Sequence, residues 1–273
     1  MNEKTIYDSA SERHSIFLWV GELLRYRDFV RNLIARDLKV RYKRSTIGFL
    51  WTMLNPLLTM GTLVIIFSTL FRTEIDHYPT YILSGLLTWN VFSQGSVAAM
   101  NSLLGNSGSL RKTYVPAAVF VLSGVGGAVV NFIFAFIPLI VFALLDGLSP
   151  AISWSYAIVV LCQLTVLTIG IGFMTAAAVV FFADVLEIYQ VLLNLLFFLT
   201  PIMYPLRILS PELLTLEHFN PLFYIVNGFR TAIIDRAFPA LDLVVLGTSV
   251  PLAFFVVGWL IFTRVESQFA YYV

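Results

Sequence analysis

The chain has 273 residues, of which 59% are hydrophobic and 12% are charged, and its formal net charge is +1. A soluble domain carries about 25% charged residues and at most about half apolar ones. The composition therefore excludes a water-exposed globular protein and predicts an integral membrane protein. The single cysteine, Cys162, lies in an apolar run, where we expect a buried thiol, and it excludes a disulfide framework or a multi-cysteine metal site.

Residues 1–46 are predicted to form a cytoplasmic N-terminal segment. The apolar stretch Ile16–Leu24 is short and contains Glu22, so no cleavable signal peptide is expected. From Leu23 to Ser45, apolar residues recur every three or four positions and basic residues fill most of the others, which predicts an amphipathic helix on the membrane surface. It either anchors the chain to anionic membrane lipids or docks a soluble partner. No nucleic-acid-binding pattern accompanies the basic run, so nucleic acid is not an expected partner.

Residues 47–265 are predicted to form a transmembrane domain of six helices, because a span needs about 20 apolar residues to cross a core of about 30 Å. The predicted spans are Gly48–Phe71, the first two-thirds of Tyr78–Leu110, Thr113–Leu145, Trp154–Ala183, Ile188–Leu206 and Leu243–Thr263. A count of five or seven is the alternative, because residues 205–242 are ambiguous. Residues 266–273 are predicted to be a cytoplasmic tail.

The distribution of basic residues predicts the orientation. With the N-terminus in the cytoplasm, thirteen lysines and arginines fall on the cytoplasmic side and four fall outside. This is a clear positive-inside bias. We therefore expect both termini in the cytoplasm.

The segment between spans five and six is not a plain loop. Phe219–Phe229 is apolar but far too short to span, which favours re-entrant helices. Irregular backbone at membrane depth must be buried in protein or line a wet cavity. The segment is therefore a candidate gate, with Pro205, Asn220, Pro221 and Arg230 as its candidate residues.

Several chemistries are not predicted. The sequence contains no G-x-x-x-x-G-K-[ST] motif, so it cannot hydrolyse ATP by that route. The histidines are far apart and the acidic residues of the outside loops are scattered, so neither a metal site nor a catalytic site is expected. Only Asp184 and Glu187, at the turn between spans four and five, approach the membrane as charged groups, which disfavours an ion-coupled carrier. The chain is a passive channel, or a partner supplies the energy.

Glycines within the spans are predicted to be helix-packing positions rather than a phosphate loop. They are Gly124–Gly127, Gly170 and Gly172. The pair Asn55-Pro56 predicts a kink in span one, which either bends the span around an entrance or serves packing.

Aromatic residues make up 15% of the chain. Aromatic faces stack on the apolar faces of sugar rings, while tyrosine and tryptophan tips form hydrogen bonds. The candidate channel residues are Trp89, Phe92, Phe197, Phe198 and Tyr204. The alternative interpretation is that these residues form interfacial belts and helix contacts.

Four collinear stretches resemble the type-2 ABC exporter permeases that move polysaccharides or polyol phosphates. They are Arg36–Leu58, Leu110–Ser123, Phe181–Pro205 and Phe219–Arg230. The likeness extends over nearly the whole chain from residue 20 to 265. One departure is Ala183, because the family often has an arginine before the aspartate that stands here as Asp184.

The resemblance implies a homodimeric permease in the bacterial cytoplasmic membrane, bound to two copies of a cytoplasmic ATPase subunit that holds ATP and Mg²⁺. The chain itself would need no cofactor. The implied cargo is a lipid-linked glycan, such as an O-antigen of lipopolysaccharide, a capsule or a teichoic acid chain. Export of a small hydrophobic drug or lipid is the alternative. The expected ATPase-coupling residues are Arg36, Arg41, Asn106, Arg111, Lys112 and Tyr114.

Overall fold

The computed structural model describes residues 16–70, 75–108 and 115–272, and all regular elements in these ranges are helices. This confirms the predicted all-α class. The main helices are α1 (Ile16–Arg25), α2 (Arg27–Tyr42), α3 (Trp51–Leu70), α4 (Tyr78–Gly105), α5 (Ala118–Leu145), α6 (Tyr156–Phe181), α7 (Val185–Leu199), α8 (Pro211–Glu217), α9 (Pro221–Ile233) and α10 (Leu241–Val265). Short 3₁₀ turns lie at Gly48–Leu50, Ile152–Ser155, Leu206–Ile208 and Glu266–Gln268, and a last turn covers Phe269–Tyr272.

Among the described residues, four helices are long and apolar enough to cross a membrane, which makes the chain a multi-pass membrane protein. They are Gly48–Ser68, Ala118–Leu145, Ile152–Phe181 and Leu241–Gln268. They correspond to predicted spans one, three, four and six. α4 has 28 residues but lies outside this set, and α7 has only 15. The count of six spans therefore stays a prediction.

The helix of the predicted fifth span, Ile188–Leu206, is shorter than expected. α7 ends at Leu199, and residues 200–205 continue without regular structure. The cause is Pro201, which has no N–H to donate and pushes the preceding Thr200 into an extended conformation with φ −69° and ψ 132°. Fifteen helical residues rise about 22 Å, less than a bilayer core of about 30 Å. Protein must therefore shield the backbone beyond α7.

α4 is the central helix of the bundle. Of its 28 residues 17 are buried, against 4 of 25 in α10. It packs on α5 and α6 along its length, and α6 packs on α10. Its polar side chains are accommodated because several hydroxyls donate to carbonyls of their own helix. The Thr88 hydroxyl donates to the Gly85 carbonyl at 2.7 Å, and the Ser96 hydroxyl donates to the Phe92 carbonyl at 2.7 Å. Protein rather than lipid surrounds α4, which explains its low hydropathy.

Glycines make the closest helix contacts, as predicted for Gly124 and Gly170, whereas a Cβ on Gly127 would have no atom within 4 Å. A Cβ on Gly124 would lie 2.6 Å from a backbone atom of Ala98 in α4. A Cβ on Gly170 would lie 2.6 Å from the backbone of Phe255 in α10, and one on Gly258 would overlap the Gly170 carbonyl. These helices approach as closely as backbones allow, because small residues stand at both faces. Cys162, expected to be buried, is exposed on α6.

The first and last parts of the described chain meet at one end of the bundle. Trp19 of α1 is buried and contacts Phe173 and Trp259 edge-on, with ring centroids 5.8 and 6.0 Å apart. Glu266 accepts a hydrogen bond of 2.6 Å from the backbone N–H of Ala117, at the start of α5. The described part of the predicted tail, 266–272, is therefore packed on the bundle. We call this end, where α1 and α2 also lie, the α2 end.

Candidate substrate cleft and coupling surface

The α2 end brings together two of the predicted coupling residues. Arg36 of α2 donates from Nη2 to Oδ1 of Asn106, 3.2 Å away, just after α4. Asn106 in turn donates to the Ser102 carbonyl at 2.7 Å, and Arg36 forms an ion pair with Asp37 at 2.9 Å. A residue pair 70 positions apart thus links the basic surface helix to the central helix of the bundle. The other predicted coupling residues on this loop, Arg111, Lys112 and Tyr114, lie outside the described residues.

A cleft of about 540 Å³ lies between parts of α4 and α7, which also touch where the Tyr189 hydroxyl donates to Ser96 Oγ at 2.8 Å. Its lining residues are Arg41, Trp89, Ser93, Gln94, Val97, Ala98, Asn101, Gln190, Leu193 and Asn194. The predicted coupling residue Arg41 lies at its α2 end and is the charged member of this lining. The other polar groups include four carboxamides, two from each helix. Gln94 and Asn101 are seven residues apart and Gln190 and Asn194 are four apart, so each pair lies on one helical face.

The predicted channel aromatics divide between the cleft and its surroundings. Trp89 lines the cleft, and its ring lies 5.2 Å from that of Phe197 in an edge-on contact. Phe198 contacts Phe197 at 5.6 Å and is 67% exposed. Phe92 is buried in the core at 3% exposure. The hydroxyl of Tyr204 lies 2.9 and 2.6 Å from carbonyl oxygens in the last two residues of α7.

The predicted gate residues surround the non-helical segment 200–205, at the end opposite α2. Arg230 of α9 is buried and donates to the carbonyls of Pro201 at 2.6 Å and Ile202 at 2.8 Å. Its guanidinium carbon lies 3.5 Å from the centroid of the Tyr81 ring, a cation–π contact with α4. No ion pair to Arg230 forms within the described ranges. Backbone carbonyls and one aromatic face therefore stabilise its charge.

Asn220 caps α9 and ties it to the same segment. Its Oδ1 accepts from the N–H of Leu222 at 3.0 Å, and its Nδ2 donates to Thr200 Oγ1 at 2.9 Å. Pro221 follows as the first residue of α9, where its missing N–H breaks no helical bond. Pro205 closes the irregular segment in an extended conformation, with φ −79° and ψ 149°.

A buried carboxyl lies beside this network. Glu217, the last residue of α8, is 5% exposed, and Asn220 donates to it at 3.3 Å. Burial raises the pKa of Glu217 to about 7, and the hydrogen bond from Asn220 opposes this only in part. Glu217 and Tyr204 line a separate cavity of about 310 Å³ at the C-terminal end of α7.

The carboxamides of the cleft were not among the residues singled out from the sequence. Their signal was present as Asn and Gln at helical spacing within otherwise apolar spans. An uncharged amide both donates and accepts hydrogen bonds. The cleft therefore combines uncharged, hydrogen-bonding carboxamides with the aromatic ring of Trp89 and the charge of Arg41.

An all-helical multi-pass protein with such a cleft between its helices belongs to the class of membrane transporters. Residues 29–234 match the family described as ABC-2 type transporter, and the chain belongs to that family. It is therefore a transport subunit of the permease type.

Several curated relatives are similar over most of the chain. The O-antigen export system permease protein RfbA of Myxococcus xanthus is 32% identical over 225 residues, covering 81% of this chain and 85% of the relative. A protein of the same name from Klebsiella pneumoniae is 28% identical, covering 89% of this chain and 94% of the relative. The polysialic acid transport protein KpsM of Escherichia coli is 24% identical, covering 75% and 80%.

Proposed function

We propose that this chain is the membrane permease subunit of an ABC exporter that moves a lipid-linked polysaccharide, driven by a separate ATPase subunit. The observation that carries the proposal is the likeness, over most of the chain, to permeases named for O-antigen export and polysialic acid transport. The cargo we propose is an O-antigen-like, capsule or teichoic acid chain. ATP and Mg²⁺ bind to the partner subunit.

The chemistry of the cleft supports a glycan cargo. Sugar hydroxyls need both donors and acceptors, and carboxamides supply both without a fixed charge. Trp89 is 9% exposed and lines the cleft, where it adds an aromatic contact for the apolar face of a sugar ring. Each contact is weak and is repeated along a helix, so that a polymer slides from one set of contacts to the next. A small hydrophobic drug would gain little from four amides.

We propose a homodimer in the bacterial cytoplasmic membrane, with both termini in the cytoplasm. α7 presents a row of exposed apolar side chains next to the cleft. They are Ile188, Val191, Leu192, Leu195 and Phe198. A second copy packed on this face would close the open side of the cleft and produce a channel between the two subunits.

The α2 end is the proposed docking site of the ATPase. The hydrogen bond between Arg36 and Asn106 joins the surface helix to α4, which carries one wall of the cleft. A displacement of α2 would therefore be transmitted to α4, and so to the cleft, through the hydrogen bond between Arg36 and Asn106. Two ATPase copies closing on ATP would move both walls in a dimer.

Purification of the tagged chain from native membranes in mild detergent tests the proposal. We expect a P-loop subunit at one-to-one ratio, with ATP hydrolysis by the complex. Arg36→Glu should reduce the amount of ATPase that copurifies, because it reverses the charge and breaks the bond to Asn106. Arg31→Glu is the matched control, since it reverses an exposed charge on α2 that has no such bond within the described residues.

Two results would contradict the proposal. A chain that purifies alone, even after crosslinking in cells, would have no ATPase partner. The second result concerns cells lacking the chain, which we expect to accumulate a lipid-linked glycan on the cytoplasmic side of the membrane. Loss of drug or lipid efflux with normal glycan delivery would instead favour export of a small hydrophobic compound.

A further inference from the structure

A second cavity lies inside a single subunit and adjoins the open cleft along α4. It holds about 310 Å³ between the C-terminal end of α2 and helices α3, α4 and α5. Its lining residues are Arg41, Tyr42, Trp51, Thr52, Asn55, Pro56, Leu87, Asn90, Val91, Gln94, Ala128, Asn131, Phe132 and Ala135. We call it the inner pocket. It shares Arg41 and Gln94 with the cleft, so the two spaces adjoin at the α2 end.

Apart from Arg41, the inner pocket is lined by four carboxamides, which are uncharged and come from three helices. Asn55 is on α3, Asn90 and Gln94 are on α4, and Asn131 is on α5. Helix packing in a membrane does not require four carboxamides to face one space. Apolar side chains fill helix contacts and leave no hydrogen-bonding group without a partner. The convergence of these four carboxamides is the arrangement expected of a site for a ligand with several hydroxyl groups.

One of these amides is unsatisfied. The Oδ1 atom of Asn131 is buried and has no hydrogen-bond partner among the described residues. A buried carbonyl without a donor destabilises the fold by about 1–3 kcal/mol, so a donor from outside the chain would stabilise it. A ligand hydroxyl in the pocket would supply it.

Proline leaves one carbonyl of α3 without its usual helical donor. Pro56 lies inside α3 and has no N–H for the carbonyl four residues earlier, which belongs to Thr52. Thr52, Asn55 and Pro56 all line the pocket. The kink position predicted from Asn55-Pro56 thus borders a cavity, which favours the entrance interpretation over packing alone.

The α2 end of the pocket carries a positive charge. Arg41 is exposed and forms no ion pair within the described ranges. The aromatic rings of Tyr42 and Trp51 stand beside it. A guanidinium beside a carboxamide-lined space matches a ligand with a phosphate joined to a polyol, since arginine binds phosphate oxygens with two parallel donors.

We propose that the inner pocket binds a phosphate-linked polyol, with the phosphate at Arg41 and the hydroxyls on Asn131, Asn90 and Asn55. This rests on the proposed function, because the natural source would be the sugar that joins the glycan to its lipid phosphate. A phospholipid headgroup with free hydroxyls has the same chemistry and is the second source. A volume near 300 Å³ is at the small end of ligand sites and admits one unit rather than a chain.

A binding measurement tests the pocket independently of transport. The full chain, with any subunit that purifies with it, is placed in phosphatidylcholine nanodiscs. The probes are a radiolabelled decyl diphosphate carrying one hexose and the same decyl diphosphate without the sugar. We expect the sugar to tighten binding about tenfold, the gain from roughly one net hydrogen bond to a buried group.

Three variants assign that gain to residues. Asn131→Leu should abolish the tenfold advantage of the sugar probe while the melting temperature stays the same or rises, because the variant removes an unsatisfied carbonyl. Arg41→Gln should weaken both probes about equally and reduce the salt dependence of binding. Asn227→Leu is the matched control, since this amide is on α9, donates to the Phe223 carbonyl of its own helix and lines neither the inner pocket nor the cleft. The binding of both probes to this variant should be unchanged.

Competition identifies the source of the ligand. If phosphatidylglycerol displaces the sugar probe at equal concentration, the pocket is supported and its occupant is a lipid headgroup. If phosphatidylglycerol does not compete, the pocket is supported as a site for the cargo's first sugar. Wild-type affinity in both Asn131→Leu and Arg41→Gln would overturn the inference. If the ATPase still copurifies in that case, the proposed function stands without the pocket.

Discussion

Arg230 illustrates what one residue can do in this fold. The sequence predicted that Arg230 is one of four basic residues outside the cytoplasm and that it is a candidate gate residue. In the structure it is buried, and it joins α9 to the irregular segment after α7 and to Tyr81 of α4. A buried charge of this kind holds its neighbours firmly, because removing any acceptor leaves an unmet donor. Movement of residues 200–205 therefore requires movement of α9.

Glu217 gives a prediction about pH. Burial raises its pKa from the ordinary 4.5 to about 7, so the folded chain favours the uncharged carboxyl. The stability that comes from this preference is present below pH 4.5 and is lost as pH rises through 7. We expect the melting temperature in detergent to fall between pH 5 and 8 in the wild type, and to fall less in Glu217→Gln.

The control for this prediction is Glu212→Gln on the same helix. The hydrogen bond with Ser210 lowers the pKa of Glu212, so this carboxyl is already ionised throughout the measured range. Its replacement should leave the pH slope unchanged. A wild-type slope in Glu217→Gln would show that Glu217 does not titrate in this window.

At the scale of the element, the positions of the apolar helices and of α4 followed from the sequence, while the early end of α7 did not. The sequence predicted spans at the positions of α3, α5, α6 and α10, because lipid-facing helices must be apolar along their length. α4 carries amides and hydroxyls because its neighbours surround it. α7 stops at Leu199 because Pro201 follows, a local rule that the hydropathy of Ile188–Leu206 concealed.

The contact between α6 and α10 gives a prediction about packing. Gly258→Ala would drive a methyl group into the Gly170 carbonyl. Backbone cannot move aside as a flexible side chain does, so the helices must separate, which destabilises the fold by about 1–3 kcal/mol. We expect a lower melting temperature and less folded protein in gel filtration.

Gly61→Ala is the matched control in α3. No atom lies within 4 Å of a Cβ at that position, and alanine is the better helix former by about 0.5–1 kcal/mol. This variant should melt at the same or a higher temperature. Equal melting of Gly258→Ala and the wild type would mean that α6 and α10 are not held at backbone distance.

At the scale of the whole molecule, the number of spans can be tested by labelling. Single cysteines are placed at three exposed positions, Thr46, Asp235 and Ser267, in a Cys162→Ser background. A membrane-impermeant maleimide should label Asp235→Cys in intact cells, and the other two only after the cells are permeabilised. This follows from six spans with both termini inside.

Each alternative has its own labelling pattern. Five or seven spans would place residue 267 on the opposite side from residue 46, so that Ser267→Cys would be labelled in intact cells and Thr46→Cys would not. Labelling of Thr46→Cys but not Asp235→Cys in intact cells would reverse the orientation. The reversed orientation would move the proposed ATPase docking site away from the α2 end. An odd number of spans would instead contradict the packing of residues 266–272 at that end.

The sequence by itself determined that this protein lies in a membrane, that it is helical, where its most apolar helices are and which residues are several of the glycines at which helices touch. These are local properties, because composition, hydropathy and residue size act over one helix or less. The sequence also identified candidate residues at the two ends of the bundle, Arg36 and Arg230 among them, but not the residues with which they form hydrogen bonds. Tertiary structure alone decided that Arg36 meets Asn106, that Arg230 holds the segment after α7, and that amides from separate helices face shared cavities. Such contacts join residues tens of positions apart, and only the packing of helices around α4 brings them within hydrogen-bonding distance.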